Sequence, residues 1–461
     1  MESNRKLIPV ILVVMVTSFM GTFLISSINI ALPAIARSFG LSAVMVSWVV
    51  TSFLLSSAMF LLPAGRWGDL AGVRRLFRAG AVVFTLSTLL CGLSGSGGWL
   101  IASRFLQGIG AAFTNTSGAA ILVAAFPPRH RGRVLGMSVS AVYLGLAFGP
   151  FAGGLLTQHL GWRSIFLISS ALAAVTTVLA FAFLGGDEAS PGDGGKAGIR
   201  EMACYMAGLV AIVCGSSWIP APGGWVLMAA GALLLVMFWL GQQRSPRPVI
   251  DTRLFTHNRL FAFSNLAALV NYSATFAIVF LLSLYLQKVR GLTPRDAGAI
   301  LMAQPVVMAF VSPLAGRLSD RMQPRILTSA GMALSALGLA CLALLTASTP
   351  LGAIVLLLAG IGSGFALFSA PNMCTIMGSV DRSRYGLASG TAATMRVVGQ
   401  IASMTIVTLF FASWFGGQAM GDVPAALFLG AMKWAFAAFA LICSLGIHLS
   451  CSRGKVPRAA A

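Results

Sequence analysis

Residues 65–75 read GRWGDLAGVRR, and residues 316–325 read GRLSDRMQPR. Each stretch directly follows the second of six long apolar runs, and each carries the string Gly-Arg-x-x-Asp followed by further arginines. A polar string that recurs at the same place in two sets of apolar runs indicates an internal duplication. The sequence therefore predicts two related units of six helices each.

The composition excludes a water-soluble protein. Of 461 residues, 57% are hydrophobic and 9% are charged, and the mean hydropathy is +0.89. A soluble domain carries roughly 25% charged residues, and a membrane-spanning helix needs about 20 apolar ones. The apolar runs predict fourteen spans: 8–35, 42–64, 79–96, 99–125, 134–157, 164–184, 202–218, 224–241, 260–287, 297–314, 326–346, 351–378, 386–415 and 425–450.

The positive charges follow the predicted topology. Lys and Arg number 31 against 11 acids, and most of the cations fall in alternate connections and in the two tails. Cytoplasmic loops of membrane proteins carry such an excess. The sequence therefore predicts a multi-pass protein of the cytoplasmic membrane, with both termini in the cytoplasm and the lipid bilayer as its surroundings. Scattered cations form no continuous basic face, so we expect no nucleic-acid partner.

One polar segment divides the chain. Residues 185–200, GGDEASPGDGGKAGIR, are rich in Gly and acids and show no helical period, which is typical of a flexible linker. The predicted parts are a six-helix bundle at 1–184, this linker at 185–200, a two-helix insert at 201–241, a cytoplasmic connection at 242–259 and a second six-helix bundle at 260–461.

Several motifs resemble those of one transporter family. The loop at 65–75 matches G-x-L-x-D-R-x-G-R-K except that Leu70 stands where Arg is usual, and 103–110, SRFLQGIG, matches R-x-x-Q-G-x-G on the fourth helix. Residues 145–154, GLAFGPFAGG, match G-x-x-x-G-P-x-x-G-G on the fifth. In this order, they make the chain resemble the major facilitator superfamily, in its fourteen-helix drug:H+ antiporter branch. The resemblance implies an all-α fold of two pseudo-symmetric six-helix bundles plus a two-helix insert.

The same resemblance implies two moving contacts. It implies a cytoplasmic gate formed by Gly65, Asp69, Gly72, Arg74, Gly316, Asp320 and Arg321. The alternative is a solvated turn that only anchors the topology. The antiporter motif consists of Gly145, Gly149, Pro150, Gly153 and Gly154. Its glycines recur every four residues and allow close helix packing; we expect that face to meet the opposite bundle and seal one end of the path, with ordinary packing as the alternative.

Polar residues inside the apolar runs are the candidates for a substrate cavity. A charge at the centre of a span costs about 2.5–3.5 kcal/mol on insertion scales. Arg104 and Arg396 are therefore expected to have a functional or structural role. The predicted cavity residues are Arg104, Gln107, Asn115, Ser26, Asn29, Asn271, Tyr272, Gln304, Asn372, Arg396 and Gln400. The alternative for each is a structural hydrogen bond inside a bundle.

The first span departs from the family pattern. The family reads L-D-x-T-I-V-N-V-A-L-P there, whereas residues 23–33 read FLISSINIALP, which places Leu24 at the Asp. All eleven acids fall in tails, loops or span ends. Because arginine stays protonated, it cannot replace a titrating carboxylate. The sequence therefore leaves undecided whether protons drive transport. It also suggests the hypothesis that the substrate is an anion or a neutral amphiphile.

The predicted function is secondary active transport of a small molecule by alternating access, with efflux of drugs or toxic amphiphiles as the first reading. A carrier of one organic anion or metabolite is the alternative, and a membrane sensor or scaffold is the third. The spans offer no nucleophile–base pair or metal-ligand cluster, so we expect no enzymatic activity, no catalytic residue, no metal and no cofactor. Protons are the candidate coupling ion, and a monomer is expected.

Overall fold

The computed structural model is helical throughout, apart from its connecting segments and one isolated backbone bridge. It describes residues 2–126, 128–185, 198–245, 252–381 and 385–454, without the side chains of 2–7, 69, 128–133, 135, 136, 139, 199, 320 and 386. The first six helices are α1 (Glu2–Phe39), α2 (Ala43–Ala71), α3 (Val73–Gly92), α4 (Gly97–Ala125), α5 (Pro128–Leu160) and α6 (Arg163–Phe183).

Two further helices and a short one follow before the second set. They are α7 (Ile199–Ser217), α8 (Pro222–Arg244) and α9 (Thr252–His257). The second set comprises α10 (Arg259–Thr275), α11 (Ala277–Leu284), a π-helical turn (Tyr285–Val289), α12 (Pro294–Leu301), α13 (Ala303–Arg321), α14 (Pro324–Leu342), α15 (Leu351–Gly378), α16 (Tyr385–Phe415) and α17 (Ala425–Ser452). The all-helical, polytopic prediction is confirmed.

Thirteen helical stretches in the described part of the chain are long and apolar enough to cross a membrane. Two of them are compound, because α10, α11 and the π-helical turn form one stretch and α12 with α13 forms another. The stretch outside this set is α7, which was predicted as a span. Its first turn carries Arg200 and Glu201, and these charges lower the hydropathy of a helix of only 19 residues.

The helices α7 and α8 form an antiparallel pair. A Cβ on Gly208 would meet the carbonyl of Gly231, and one on Gly215 would meet that of Gly224, so the two backbones are in close contact along their length. The pair packs through α7 against α2 and α16. Tyr205 of α7 donates a hydrogen bond of 3.0 Å to the Ala58 carbonyl of α2. The insert therefore lies against one helix of each six-helix half.

The two halves, α1–α6 and α10–α17, meet mainly near the loop that joins α1 to α2. The main pairs of helices that pack across the halves are α5 with α12, α2 with α16 and α1 with α11. We call this end of the molecule the α1–α2 end and the opposite one the α2–α3 end. At the α1–α2 end, the backbone N–H of Met420 donates to the Leu41 carbonyl at 2.8 Å, beside a bridge between Ser42 and Ala419.

The glycine stripe of α5 gives a direct test of the packing. A Cβ on Gly153 would lie 2.7 Å from the Cα of Ser27 in α1, so Gly153→Ala would force the two backbones apart. Overpacking of this kind costs about 1–3 kcal/mol. We expect the variant to melt at a lower temperature in detergent. Gly360→Ala is the matched control, because nothing lies within 4 Å of a Cβ there and Ala is favoured over Gly inside a helix by about 0.5–1 kcal/mol. Equal melting of the two variants would contradict the packing.

Candidate functional site

A proline in α1 creates the main polar contact between the halves. Pro33 has no N–H, so the carbonyl of Asn29, four residues earlier, has no partner within its helix. Ser283 of α11 donates to that carbonyl at 2.5 Å. Gln287, in the π-helical turn, donates to the next carbonyl, that of Ile30, at 2.9 Å. The α1 backbone is therefore hydrogen-bonded to side chains of the opposite half.

Further contacts close the same end. The hydroxyl oxygens of Ser47 in α2 and Thr408 in α16 lie 2.8 Å apart, and both side chains are buried. A Cβ on Gly154 of α5 would lie 2.5 Å from the carbonyl oxygen of Pro294 in α12, and Gly298 of α12 packs equally closely on Pro150. These contacts seal the space between the halves at the α1–α2 end.

The rest of the antiporter motif packs on its own half, which corrects part of the expectation from sequence. Gly145, Gly149 and Gly153 face α1, where added Cβ atoms would meet Thr22, Ser26 and Ser27. Ser26 donates at 3.2 Å to the Leu146 carbonyl, which Pro150 leaves without an intrahelical partner. Within the motif, Pro150 and Gly154 touch the opposite half, at Gly298 and Pro294 of α12. Ser26, predicted to line the cavity, instead holds α1 on α5.

Five residues from four helices come together where the contact between the halves ends. We call Tyr143, Tyr272, Phe365, Ser369 and Arg396 the central cluster. The Tyr143 hydroxyl of α5 lies 3.4 Å from that of Ser369 in α15, which joins the two halves. Tyr272 of α10 lies within electrostatic reach of Tyr143 and Arg396 and within hydrogen-bonding reach of Ser369. The Tyr272 and Phe365 rings meet edge to face, with centroids 5.3 Å apart.

The central cluster lies well inside the helices. Counted at about 1.5 Å per residue, Tyr143, Tyr272 and Arg396 lie about 16 to 23 Å from the α2–α3 ends of their helices. All three side chains are half-buried. Gln400, one turn beyond Arg396, is half-buried as well, and Gly399 between them packs against Tyr272. Of the predicted cavity residues, the structure thus brings Tyr272 and Arg396 together, and Gln400 lies one helical turn from Arg396.

Sequence reasoning missed Tyr143, Phe365 and Ser369. Tyr143 is a lone tyrosine two residues before the glycine motif, and Phe365 and Ser369 belong to an otherwise ordinary apolar run. Their shared depth becomes visible only when α5, α10 and α15 are packed together. No periodic polar stripe marks them in the sequence.

Arg104 is a structural residue in this arrangement. It has no exposed surface, its Nε donates to the Val49 carbonyl of α2 at 3.0 Å, and another guanidinium nitrogen donates to the Gln107 side chain. The guanidinium also lies 4.4 Å from the centre of the Phe53 ring. Because these partners all belong to the first half, the expectation that Arg104 lines a cavity between the halves does not hold here.

The remainder of the R-x-x-Q-G-x-G motif explains why Arg104 is enclosed. Gln107, also without exposed surface, donates to Thr88 of α3 at 2.6 Å. Gly108 packs against the backbone of α2 at Phe53, and a Cβ on Gly110 would lie 2.5 Å from the Phe84 nitrogen of α3. The motif therefore joins α2, α3 and α4 so closely that its polar side chains must bond to one another.

A second buried arginine, Arg453, lies beyond the last apolar run of the sequence. Arg453 follows α17 and is 2% exposed. Its guanidinium donates to the Asn372 side chain at 2.9 Å and to the Thr328 hydroxyl at 2.5 Å. Asn372 in turn donates to the Ser264 carbonyl at 3.0 Å. Asn372, predicted to line the cavity, therefore helps to join α10, α14, α15 and α17 at the α2–α3 end.

Burial lowers the pKa of the Arg453 guanidinium to about 10. The group thus stays charged at neutral pH. Its hydrogen bonds to Asn372 and Thr328 are charge-assisted, which makes them stronger than bonds between neutral groups.

The other predicted cavity residues are scattered. Asn29 and Asn271 are buried, and the described residues supply no hydrogen-bond partner to the Asn29 side-chain oxygen or to either amide atom of Asn271. The Gln304 side-chain oxygen likewise finds no hydrogen-bond partner among the described residues. Asn115, on α4, is exposed. The structure shows no hydrogen bond between these four side chains and the central cluster within the part of the chain that it describes.

The predicted gate can be described only in part. Gly72 joins α2 to α3 with a φ of 98°, a conformation that favours glycine, whereas Gly65 and Gly316 lie inside α2 and α13. Arg74 and Arg321 each have an interaction partner. The side chains of Asp69 and Asp320 lie outside the described residues, so the predicted latch stays a prediction.

The described carboxylates avoid the interior of the spans. Glu201, Asp296, Asp381 and Asp422 lie in loops or in the first turn of a helix, and the backbone positions of Glu2, Asp69 and Asp320 fall in the first or last turn of theirs. Leu24, which stands at the position of the family's Asp, has no exposed surface and packs in the main hydrophobic core. The first span therefore places an apolar side chain in a dry position.

Comparison with known proteins decides the family. The profile of the Major Facilitator Superfamily matches residues 12–404 and, again, residues 265–458. The chain belongs to the major facilitator superfamily. The second match begins inside the second half of the chain, in agreement with an internal duplication. As a superfamily member, the protein is a multi-pass membrane transporter of small molecules and not an enzyme.

The superfamily relatives differ in what their names report. The chain is 30% identical to a riboflavin transporter of Clostridioides difficile over 412 residues, 88% of each chain. It is 31% identical to a multidrug resistance protein of Mycobacterium tuberculosis over 417 residues, 87% of this chain and 76% of that one. A bacterial homologue of the human lysosomal transporter Spinster shares the fold, with a TM-score of 0.68 and 16% identity over 98% of this chain and 96% of that one.

The Arg453 cluster yields a prediction about stability. Arg453→Met keeps the length of the side chain but leaves the buried Asn372 oxygen without its donor. An unsatisfied buried group costs about 1–3 kcal/mol, so we expect a lower melting temperature and a lower yield of monodisperse protein. Arg200→Met is the control, because Arg200 is exposed at the start of α7. If both variants melted like the native protein, the cluster would not stabilise the second half.

Proposed function

We propose that this transporter exports drugs or other toxic amphiphiles across the cytoplasmic membrane by alternating access. Its termini lie in the cytoplasm, and the α2–α3 end faces the cytoplasm, as the distribution of Lys and Arg favours. The functional unit is a monomer. The linker at 185–200 and the insert at 201–241 separate two six-helix bundles, 1–184 and 260–461, that rock against each other.

The position of the central cluster carries this proposal. It lies between the halves, at the limit of the contacts that seal the α1–α2 end. A substrate from the cytoplasm or the inner leaflet would meet Tyr143 of one half and Tyr272, Ser369 and Arg396 of the other. Binding there would draw the two halves together around it, and opening of the α1–α2 end would release it outside.

The names of relatives support small-molecule export and also keep a second candidate. Besides the multidrug resistance protein, a methylenomycin A resistance protein of Bacillus subtilis is 28% identical over 424 residues, 89% of each chain. The riboflavin transporter favours a carrier of one metabolite. A panel of compounds separates these functions, because broad efflux lowers susceptibility to several unrelated drugs and a metabolite carrier does not.

The gate and the coupling ion belong to the same proposal. Gly65, Asp69, Gly72 and Arg74, with Gly316, Asp320 and Arg321, would close the cytoplasmic end when the α1–α2 end opens. With Leu24 in the core and the described carboxylates at helix ends and in loops, a mid-membrane carboxylate would not carry a coupling proton. Proton antiport would then depend on an acid near a membrane surface.

A crosslink at the α1–α2 end tests alternating access. In a variant whose seven native cysteines are replaced, Ser47→Cys and Thr408→Cys would place two thiols at the contact between α2 and α16. Oxidation should lock this end closed and reduce transport at least tenfold, and reduction should restore it. The measurement is efflux of a fluorescent substrate from cells or vesicles before and after the reductant.

The matched control pair lies within one half. The hydroxyls of Thr85 in α3 and Thr177 in α6 are 2.9 Å apart, so a disulfide there joins two helices that move together. We expect transport to survive that crosslink. Full transport with Ser47 and Thr408 crosslinked would contradict movement at the α1–α2 end.

The efflux assignment itself is tested in a host that lacks its own efflux pumps. Expression of the chain should lower the susceptibility of the host to several unrelated amphiphilic drugs at least fourfold. The control is the oxidised Ser47→Cys, Thr408→Cys variant at equal expression. An unchanged susceptibility profile together with altered riboflavin transport would favour the metabolite carrier instead.

A further inference from the structure

Arg104, Arg396 and Arg453 differ in the groups that surround their charge. Arg104 and Arg453 are fully buried, and each donates to acceptors from neighbouring helices. Arg396 is half-buried, and the interaction that the structure shows for it in the described part of the chain is an electrostatic one with Tyr272. A charge inside a membrane protein that is not held by the chain marks a pathway or a binding site more often than a structural contact.

The surroundings of Arg396 define the shape of what could bind there. Tyr272 interacts electrostatically with the Arg396 guanidinium and with Tyr143, and Phe365 meets Tyr272 edge to face. Aromatic rings offer flat apolar surfaces, and a guanidinium offers a planar fork of donors that matches a carboxylate or sulfonate. Ser369 and Gln400 add neutral hydrogen-bonding groups at the same depth.

The charge balance at this depth is positive. The described carboxylates lie in loops or in terminal turns, Arg104 is enclosed within the first half, and Lys433 is exposed on α17. Arg396 is therefore the charge that a bound molecule would meet between the halves. A lipophilic cation would be repelled there, because like charges close together in a medium of low dielectric constant are costly.

We propose that Arg396, Tyr143 and Tyr272 form a site for planar aromatic anions, and that the membrane potential drives their export. This inference rests on the proposed export function and names its substrate class. The acid group pairs with Arg396, and the ring lies among Tyr143, Tyr272 and Phe365. Because the cell interior is negative, a monovalent anion moves outward downhill, with a limiting gradient of about 50-fold per 100 mV. No titrating carboxylate is needed for this drive.

The test uses full-length protein in proteoliposomes and three planar probes. 2-Naphthalenesulfonate is a permanent anion, N-methylquinolinium is a permanent cation of similar size, and riboflavin is neutral. A potassium gradient with valinomycin sets an inside-positive potential or none, and a separate arm imposes a pH gradient at zero potential. We expect uptake of the sulfonate to rise at least tenfold with the inside-positive potential and to be unchanged by the pH gradient alone.

Variants assign the effect to Arg396. Arg396→Gln should raise the KM for the sulfonate by about 10- to 100-fold, the range expected for one lost charge-assisted contact. Its effect on any riboflavin transport should stay within twofold, and Arg396→Lys should recover part of the sulfonate transport. Lys433→Gln removes one exposed charge from α17 and serves as the matched control, with an unchanged KM. All variants are compared as equal amounts of monodisperse protein with similar melting temperatures.

The following outcomes would overturn the inference. They are preferential transport of N-methylquinolinium, transport driven by the pH gradient and not by the potential, and an unchanged sulfonate KM in Arg396→Gln. Transport of riboflavin alone would also overturn it while leaving the chain a transporter. If none of the probes moved while the chain still lowered drug susceptibility in cells, the anion site would be wrong and the export function would stand.

Discussion

Backbone carbonyls inside a membrane must find donors, and two prolines make this constraint visible. Pro33 leaves the Asn29 carbonyl without a partner in α1, and Pro150 does the same to Leu146 in α5. A serine hydroxyl from a neighbouring helix donates a hydrogen bond to each carbonyl: Ser283 to that of Asn29 and Ser26 to that of Leu146. In lipid there is no water to replace these donors. The two bonds together hold α1 against α5 of its own half and against α11 of the other.

The sequence predicted the elements better than their contacts. Apolar runs separated by arginine-rich loops are sufficient to locate the helices, because the length and hydropathy of a span are local properties. The glycine spacing in α5 correctly predicted a close helix contact. It could not indicate which helix would fill it, and the answer, α1 for Gly145, Gly149 and Gly153, depends on how six helices are arranged.

For the candidate site, too, the sequence indicated which residues matter but not what they contact. A polar residue in an apolar run indicates that the residue has an interaction partner, and the identity of that partner decides whether the residue is structural. Arg104 and Arg396 look alike in sequence, and the structure separates them. Arg104 donates hydrogen bonds to the Val49 carbonyl and the Gln107 side chain, whereas Arg396 interacts with the phenol group of Tyr272. Arg453 looked like part of a tail because nothing in its neighbours along the chain reveals Asn372 and Thr328.

The antiparallel arrangement of α7 and α8 determines the direction of every later helix. Because the two helices run in opposite directions, the chain returns to the end of the molecule at which α6 finished. The helices from α10 onward thus keep the orientation they would have had if α6 had been joined to them directly. An insertion of a single crossing would have inverted them and placed Arg396 on a helix running the opposite way.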